Sequence, residues 1–224
     1  MSEPRVTALH SVDLGVADLD AATIFFTDIW GLTLVAHDNA SSHLRGTGPF
    51  HHILALHRRP RAEILRINLL AADRAGVDAL HARAGEPGAV HGVTGLTAPA
   101  ALDRPGGGYG FAFRDGEGRN LAIVADIATH SDTDDAPDRP RKLAHVVLNA
   151  EAPAPSVALF TDLLGFRVSD RTRMHNFLRC GDTAAGRIDH HNIAIGNGGG
   201  GDGGGPTLNH IAFEMPDLES VMRG

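Results

Sequence analysis

Apolar and polar positions alternate through Thr7-Ala8-Leu9-His10-Ser11-Val12-Asp13-Leu14-Gly15-Val16, which predicts a strand with one face buried. Asp18 follows as a helix-capping residue, and residues 19–30 are predicted to form the helix it starts. Three runs of strand length come next: Gly31-Leu32-Thr33-Leu34-Val35, Leu44-Arg45-Gly46, and His51-His52-Ile53-Leu54-Ala55-Leu56. The same order, one strand, one helix and three strands, returns later in the chain. Leu143-Ala144-His145-Val146-Val147-Leu148 leads to a helix containing Phe160-Thr161-Asp162, then to Gly165-Phe166-Arg167-Val168, Leu178-Arg179-Cys180 and His190-His191-Asn192-Ile193-Ala194-Ile195. Phe26-Thr27-Asp28 before Gly31 matches Phe160-Thr161-Asp162 before Gly165, and the paired histidines recur. Several landmarks in one order identify an internal repeat.

Between these copies lies a more diverged one. Ile64-Leu65-Arg66-Ile67-Asn68-Leu69-Leu70 leads to Asp73 and a helix through Ala84, and the unit closes with Phe111-Ala112-Phe113, an Asp115-Gly116-Glu117-Gly118 turn and Leu121-Ala122-Ile123-Val124. A fourth begins at Thr207-Leu208-Asn209-His210-Ile211-Ala212-Phe213, with Asp217 seven residues past His210 as Asp73 is seven past Arg66, and stops at Gly224 within its first helix. The expected fold class is α+β: repeated βαβββ modules forming two open mixed-sheet half-barrels, the second incomplete. Residues 129–140 are polar, acidic and bracketed by prolines, which disfavours regular structure and marks a linker. The expected halves are therefore 1–128 and 141–224. Gly196 to Pro206 holds eight glycines in eleven residues and is expected to be a surface loop; it matches no phosphate-binding fingerprint.

Composition narrows the function classes. Twenty Lys and Arg against 27 Asp and Glu give a net charge of −7, which disfavours a nucleic-acid or anionic-membrane surface. With one cysteine, no apolar leader and no run of 18 apolar residues, the chain reads as a cytoplasmic protein without a membrane span. Edge strands left by open sheets lead us to expect a homo-oligomer. Fourteen histidines reflect compositional bias unless position singles them out.

Repeated βαβββ units resemble the vicinal oxygen chelate superfamily, which includes glyoxalases, bleomycin-resistance proteins and type I extradiol dioxygenases. Leu143-Ala144-His145, Arg179-Cys180 ahead of His190-His191-Asn192-Ile193-Ala194, and Leu208-Asn209-His210-Ile211-Ala212-Phe213-Glu214 resemble the extradiol branch. That resemblance implies an Fe(II) centre, with Mn(II) as an alternative, held by His145, His210 and a glutamate expected beyond Gly224 in a truncated chain. It also implies that His191 exchanges protons near bound O₂, that Val147 contacts substrate, and that the substrates are a small aromatic diol of catechol type and O₂. Two imidazoles and one carboxylate on one face of an iron ion leave adjacent positions open, and an imidazole titrates where proton exchange is needed. Two other functions share the fold: a metal-dependent lyase or isomerase of glyoxalase type, and a non-enzymatic drug-sequestering protein.

Most other histidines have a bland reading. His10 is placed in unit one where His145 stands in unit three, and Arg66 takes the His210 place in unit two, so the N-terminal half is read as a metal-free scaffold with His10, His51 and His52 structural. His190 is read as the solvent-facing neighbour of His191, since successive strand residues point to opposite faces. His37, His43, His57, His81, His91, His130 and His175 carry no functional claim, although His175 falls where it could face the cup. Glu214 shares a strand face with His210 but lies about 13 Å along it, too far for a shared ion. Asp189 is a weak candidate in a loop. An unfinished half-cup is expected to leave Ile211 and Phe213 exposed.

Overall fold

A computed structural model describes residues 4–86, 92–181, 189–198 and 208–223. Most of the glycine-rich stretch, residues 199–207, lies outside the described residues. Thirteen strands and four helices follow one another as β1 (Val6–Val16), α1 (Leu19–Ile24), β2 (Thr33–His37), β3 (Ser41–Arg45), β4 (Leu54–Arg58), β5 (Glu63–Ala71), α2 (Arg74–Ala84), β6 (Ala100–Ala101), β7 (Tyr109–Arg114), β8 (Asn120–Ala125), β9 (Lys142–Ala150), α3 (Pro153–Ala158), β10 (Arg167–Arg171), β11 (His175–Arg179), β12 (Ile193–Asn197), β13 (Leu208–Glu214) and α4 (Leu218–Arg223). They form two open mixed sheets, ordered β2-β3-β4-β1-β5-β8-β7-β6 and β10-β11-β12-β9-β13. This is the expected α+β architecture. In each sheet the first strands of consecutive units, β1 with β5 and β9 with β13, pair antiparallel at the seam.

The repeat extends to local chemistry. Side-chain oxygens of Asp18, Asp73 and Asp217 accept from the backbone N–H three residues on, closing the first turns of α1, α2 and α4. Both α1 and α3 widen into a π-helical turn, over Phe25–Ile29 and Leu159–Leu163, and end on Gly31 and Gly165 at φ +67° and +74°. These left-handed residues let Leu32 N–H reach Phe26 C=O and Phe166 N–H reach Phe160 C=O, at 3.0 and 2.9 Å, satisfying carbonyls the helix leaves open.

Unit three lacks the capping aspartate and borrows its cap from unit two. Glu117 Oε1 accepts from Ala152 N–H at 2.8 Å, and Arg119 Nη2 donates to Ser156 Oγ at 2.8 Å. Arg119 Nε also meets Asp115 Oδ2 at 2.6 Å, with both side chains almost fully buried. Replacing Arg119 by Met strands the Asp115 carboxylate, so we expect a loss of about 3 kcal/mol in urea unfolding. A change below about 1 kcal/mol would show that water reaches the pair. Residues 129–140 contain no helix or strand, as expected, but they are pinned: Arg45 donates to the Asp132 carboxylate at 2.9 Å and to its carbonyl at 2.8 Å.

Two expectations are corrected. Phe213 is not left bare, because Trp30 from unit one lies 5.3 Å away ring to ring, and Ile211 and Phe213 are both half-buried. His10 does not stand at the level of His145. Leu9 pairs with Leu69 and Ser11 with Asn68, so His10 is the extra residue of a β-bulge. Ala144 is the matching extra residue between Leu143 and His145, so Ser11 is the residue in register with His145. Arg66 does stand at the His210 level: Arg66 pairs with Asp13 and His210 with Val147.

Candidate metal centre

The second sheet gathers its chemistry on one row. Phe177 on β11, Ala194 on β12, Val147 on β9 and His210 on β13 are directly paired across four strands, so their side chains share a face. His145 lies on that face two residues before Val147, opposite Ala212. This diagonal offset brings the imidazoles together, with His145 Nε2 3.2 Å from His210 Nε2. The His191 ring stacks on His145 with centroids 4.3 Å apart and sits 4.9 Å from the Phe177 ring. Thus His145, His210 and His191 form one cluster beside Val147, which is 3% exposed.

The cluster suits a cation. Two nitrogens bound to one ion at about 2.1 Å and about 100° would themselves be about 3.2 Å apart. His210 Nδ1 lies 2.9 Å from Asn209 Oδ1, an oxygen that can only accept, so that nitrogen bears the proton and the Nε2 lone pair faces His145. Asn209 is held in turn by donating to Asn149 Oδ1 at 3.2 Å. Burial, with His191 and His210 alongside, pushes the His145 pKa down to about 4, so that ring is neutral at physiological pH, as a ligand must be. Burial and then His190 and His210 also lower His191.

The nearby carboxylates are committed elsewhere. Asp189 Oδ2 accepts from Lys142 Nζ at 2.6 Å and Asn192 Nδ2 at 2.8 Å. Glu214 pairs with Lys142 in the sheet register and forms ion pairs with the Lys142 ammonium at 3.3 Å and the Arg141 guanidinium at 3.6 Å. Among the described residues, no set of three His, Cys, Asp or Glu side chains converges on one ion.

The paired histidines differ from their expected strand geometry. Residues 190–192 lie ahead of β12, and the two rings meet edge to face with Nδ1 atoms 3.0 Å apart. They are not on opposite faces, although His190 is the exposed one of the two. What fixes them is Asn192, a residue sequence reasoning passed over. It is 4% exposed; its amide donates to Asp189 and its Oδ1 accepts from Cys180 N–H at 3.0 Å and Cys180 Sγ at 3.2 Å. The signal was an Asn where unit one has Ile53 in an otherwise apolar run. Burial raises the Cys180 thiol to about 12, so it stays protonated and donates to Asn192. Replacing Asn192 by Leu removes these bonds, and we expect a loss of about 2 kcal/mol in urea unfolding. Unchanged stability would show that Asp189 and Cys180 find other partners.

Comparison with known proteins identifies the family and the fold. Residues 142–223 match the family model described as Glyoxalase/Bleomycin resistance protein/Dioxygenase superfamily. A Mn(II)-bound glyoxalase from Novosphingobium aromaticivorans superposes with a TM-score of 0.86 and 36% identity, over 98% of this chain and 69% of that one. The 2,3-dioxygenase LapB from Pseudomonas sp. KL28 gives 0.81 at 19% identity, over 99% of this chain and 79% of its own. The Y257F variant of homoprotocatechuate 2,3-dioxygenase from Brevibacterium fuscum gives 0.80 at 19% identity over 99% of this chain, which spans 60% of that protein's length. No curated protein sequence matches the chain. The identity to the Novosphingobium structure over nearly the whole chain, with the family match across the histidine cluster, shows that this chain belongs to the glyoxalase, bleomycin-resistance and dioxygenase superfamily.

Proposed function

We propose that the protein is an extradiol dioxygenase that opens a catechol-type diol with O₂ at a divalent metal centre. In this reading residues 141–224 form the metal-binding half, residues 129–140 link the halves, and residues 1–128 are its metal-free partner. His145 and His210 hold the metal, and the third ligand, a carboxylate, is not among the described residues. A divalent ion at that place, Fe(II) or Mn(II), would supply adjacent positions for the two diol oxygens and for O₂. Val147 and Phe177 form an apolar wall beside the histidines that orients a flat ring and keeps water away.

His191 is the acid–base group. Its ring lies against His145, its Nδ1 is engaged with His190, and Nε2 remains for the reacting proton. A neutral imidazole takes a proton from the incoming diol and returns it as the ring opens. We expect His191→Asn to keep the metal while lowering kcat by about 100-fold. Equal loss of metal and activity would make His191 a ligand instead.

The observation that carries the reading is a third imidazole stacked at 4.3 Å on a pair whose Nε2 atoms are 3.2 Å apart. The identity to a Mn(II)-bound glyoxalase favours a second reading, a metal-dependent lyase or isomerase. Among the described residues, Asp189 and Glu214 are tied to Lys142 and Arg141, which leaves a carbon-acid reaction without a free carboxylate base near the pair. Oxygen uptake with 3,4-dihydroxyphenylacetate, by Fe(II)- or Mn(II)-loaded protein, tests the choice. One O₂ consumed per diol, with a new near-ultraviolet or visible absorbance, supports ring cleavage. Turnover of a hemithioacetal without O₂ uptake supports the alternative.

A further inference from the structure

The N-terminal cup repeats the geometry of the metal row with different chemistry. His43 on β3, Ala55 on β4, Asp13 on β1 and Arg66 on β5 are paired across the sheet, where the second sheet has Phe177, Ala194, Val147 and His210. Ser11 and Asn68 face each other at the level of His145 and Ala212. Into this cup the 102–108 loop brings Arg104, whose Nη1 donates to Asn68 Oδ1 at 2.9 Å. The loop is closed on itself by Leu102 N–H to Gly108 C=O and Gly107 N–H to Arg104 C=O, each 2.9 Å, so the guanidinium is held in advance.

Arg104 Nε and Nη2 are buried and without a partner, and so is His10 Nε2. These two guanidinium nitrogens form the edge that takes a carboxylate through parallel bonds. The same chain shows that use: Arg141 holds both oxygens of Asp135 through Nε and Nη2. Asn68 Nδ2 donates to Asp13 Oδ1 at 2.8 Å and to Ser11 Oγ at 3.0 Å, and Ser11 Oγ lies 2.9 Å from His10 Nδ1, so His10 belongs to the same network. That network ends in unmatched buried nitrogens at both ends, the Arg104 edge and His10 Nε2. A buried guanidinium edge left unmatched is costly, which favours uptake of an acceptor.

We propose that the N-terminal cup is a second ligand site, which binds a small monocarboxylate on the Nε/Nη2 edge of Arg104 beside His10. The charge balance selects a monoanion: Arg104 and Arg66 against Asp13 leave one positive charge when the histidines are neutral. This site is independent of the metal pair and of the reaction proposed for it.

Thermal unfolding of the full chain, with sodium acetate or benzoate against sodium chloride at matched ionic strength, tests the site. A saturable rise in Tm is expected with the carboxylates. The rise should vanish in Arg104→Met, weaken at least tenfold in apparent affinity in Arg104→Lys, and persist in His145→Ala/His210→Ala. Calorimetric titration of the Lys variant decides the matter if the Met variant does not fold. No saturable rise beyond chloride, an undiminished rise in Arg104→Met or Arg104→Lys, its loss in the His145→Ala/His210→Ala variant, or tighter binding of inorganic phosphate would overturn the assignment.

Discussion

A chain carrying His145→Ala and His210→Ala is expected to lose its tightly bound divalent metal and to turn over a catechol at least about 1,000-fold more slowly than the wild type. The size of the effect follows from geometry. In the proposed centre each imidazole would contribute one bond to a shared ion, and removing both leaves no protein nitrogen where the two Nε2 atoms stood 3.2 Å apart. The fold should survive, since His210 is exposed and His145 only half-buried, and neither belongs to the apolar core. Metal analysis after dialysis, circular dichroism and oxygen uptake separate the possibilities. Full metal content in a folded double variant would remove the pair from the site. Metal loss with unchanged turnover would detach the chemistry from the metal.

Acid should unfold the protein early, because histidines held neutral by burial resist protonation in the fold, His145 among them, and the two with the largest shifts lie in the N-terminal half. Burial, Arg104 and His51 push the His10 pKa down to about 3; burial, then His10 and His43, push His52 down to about 2. Unfolded, both titrate near 6.5. Below pH 6.5 the unfolded chain therefore binds protons that the folded chain refuses, so stability falls as pH falls, down to the folded values. At pH 4.5, two units below the unfolded pKa, each histidine costs about 2.7 kcal/mol, and the pair about 5 kcal/mol. The exposed aspartates with lowered values, Asp38, Asp132, Asp135 and Asp217, have ordinary pKa values near 3.8 and stay ionised in this window. Urea midpoints between pH 7 and 4.5 measure the effect, and a His10→Gln/His52→Gln variant should make the profile shallower, leaving the part that His145 and the other lowered histidines contribute. A midpoint constant over that range would contradict the burial of neutral rings.

The repeat was legible because its landmarks are chemical: an aspartate before a helix, a glycine after it, paired histidines ahead of a strand. His145, His210 and His191 were legible by resemblance, and the structure brings the three together. What alternation could not show was the bulge at His10. The same extra residue stands in both strands, His10 and Ala144, so Leu9-His10-Ser11 matches Leu143-Ala144-His145 without a gap and Ser11, not His10, takes the His145 level. The Glu117 cap on α3 and the Arg119–Ser156 bond were invisible because they join residues far apart in the chain. Asn192 escaped notice because its partners, Asp189 and Cys180, come from neighbouring segments that only the folded sheet brings together.

The most direct test is a crystal of the protein grown with Mn(II), with anomalous differences collected at the manganese edge. A single strong peak within about 2.3 Å of both His145 Nε2 and His210 Nε2 is the predicted result. A peak bound to only one of them, or manganese bound at some other place while these nitrogens stay bare, would contradict the account.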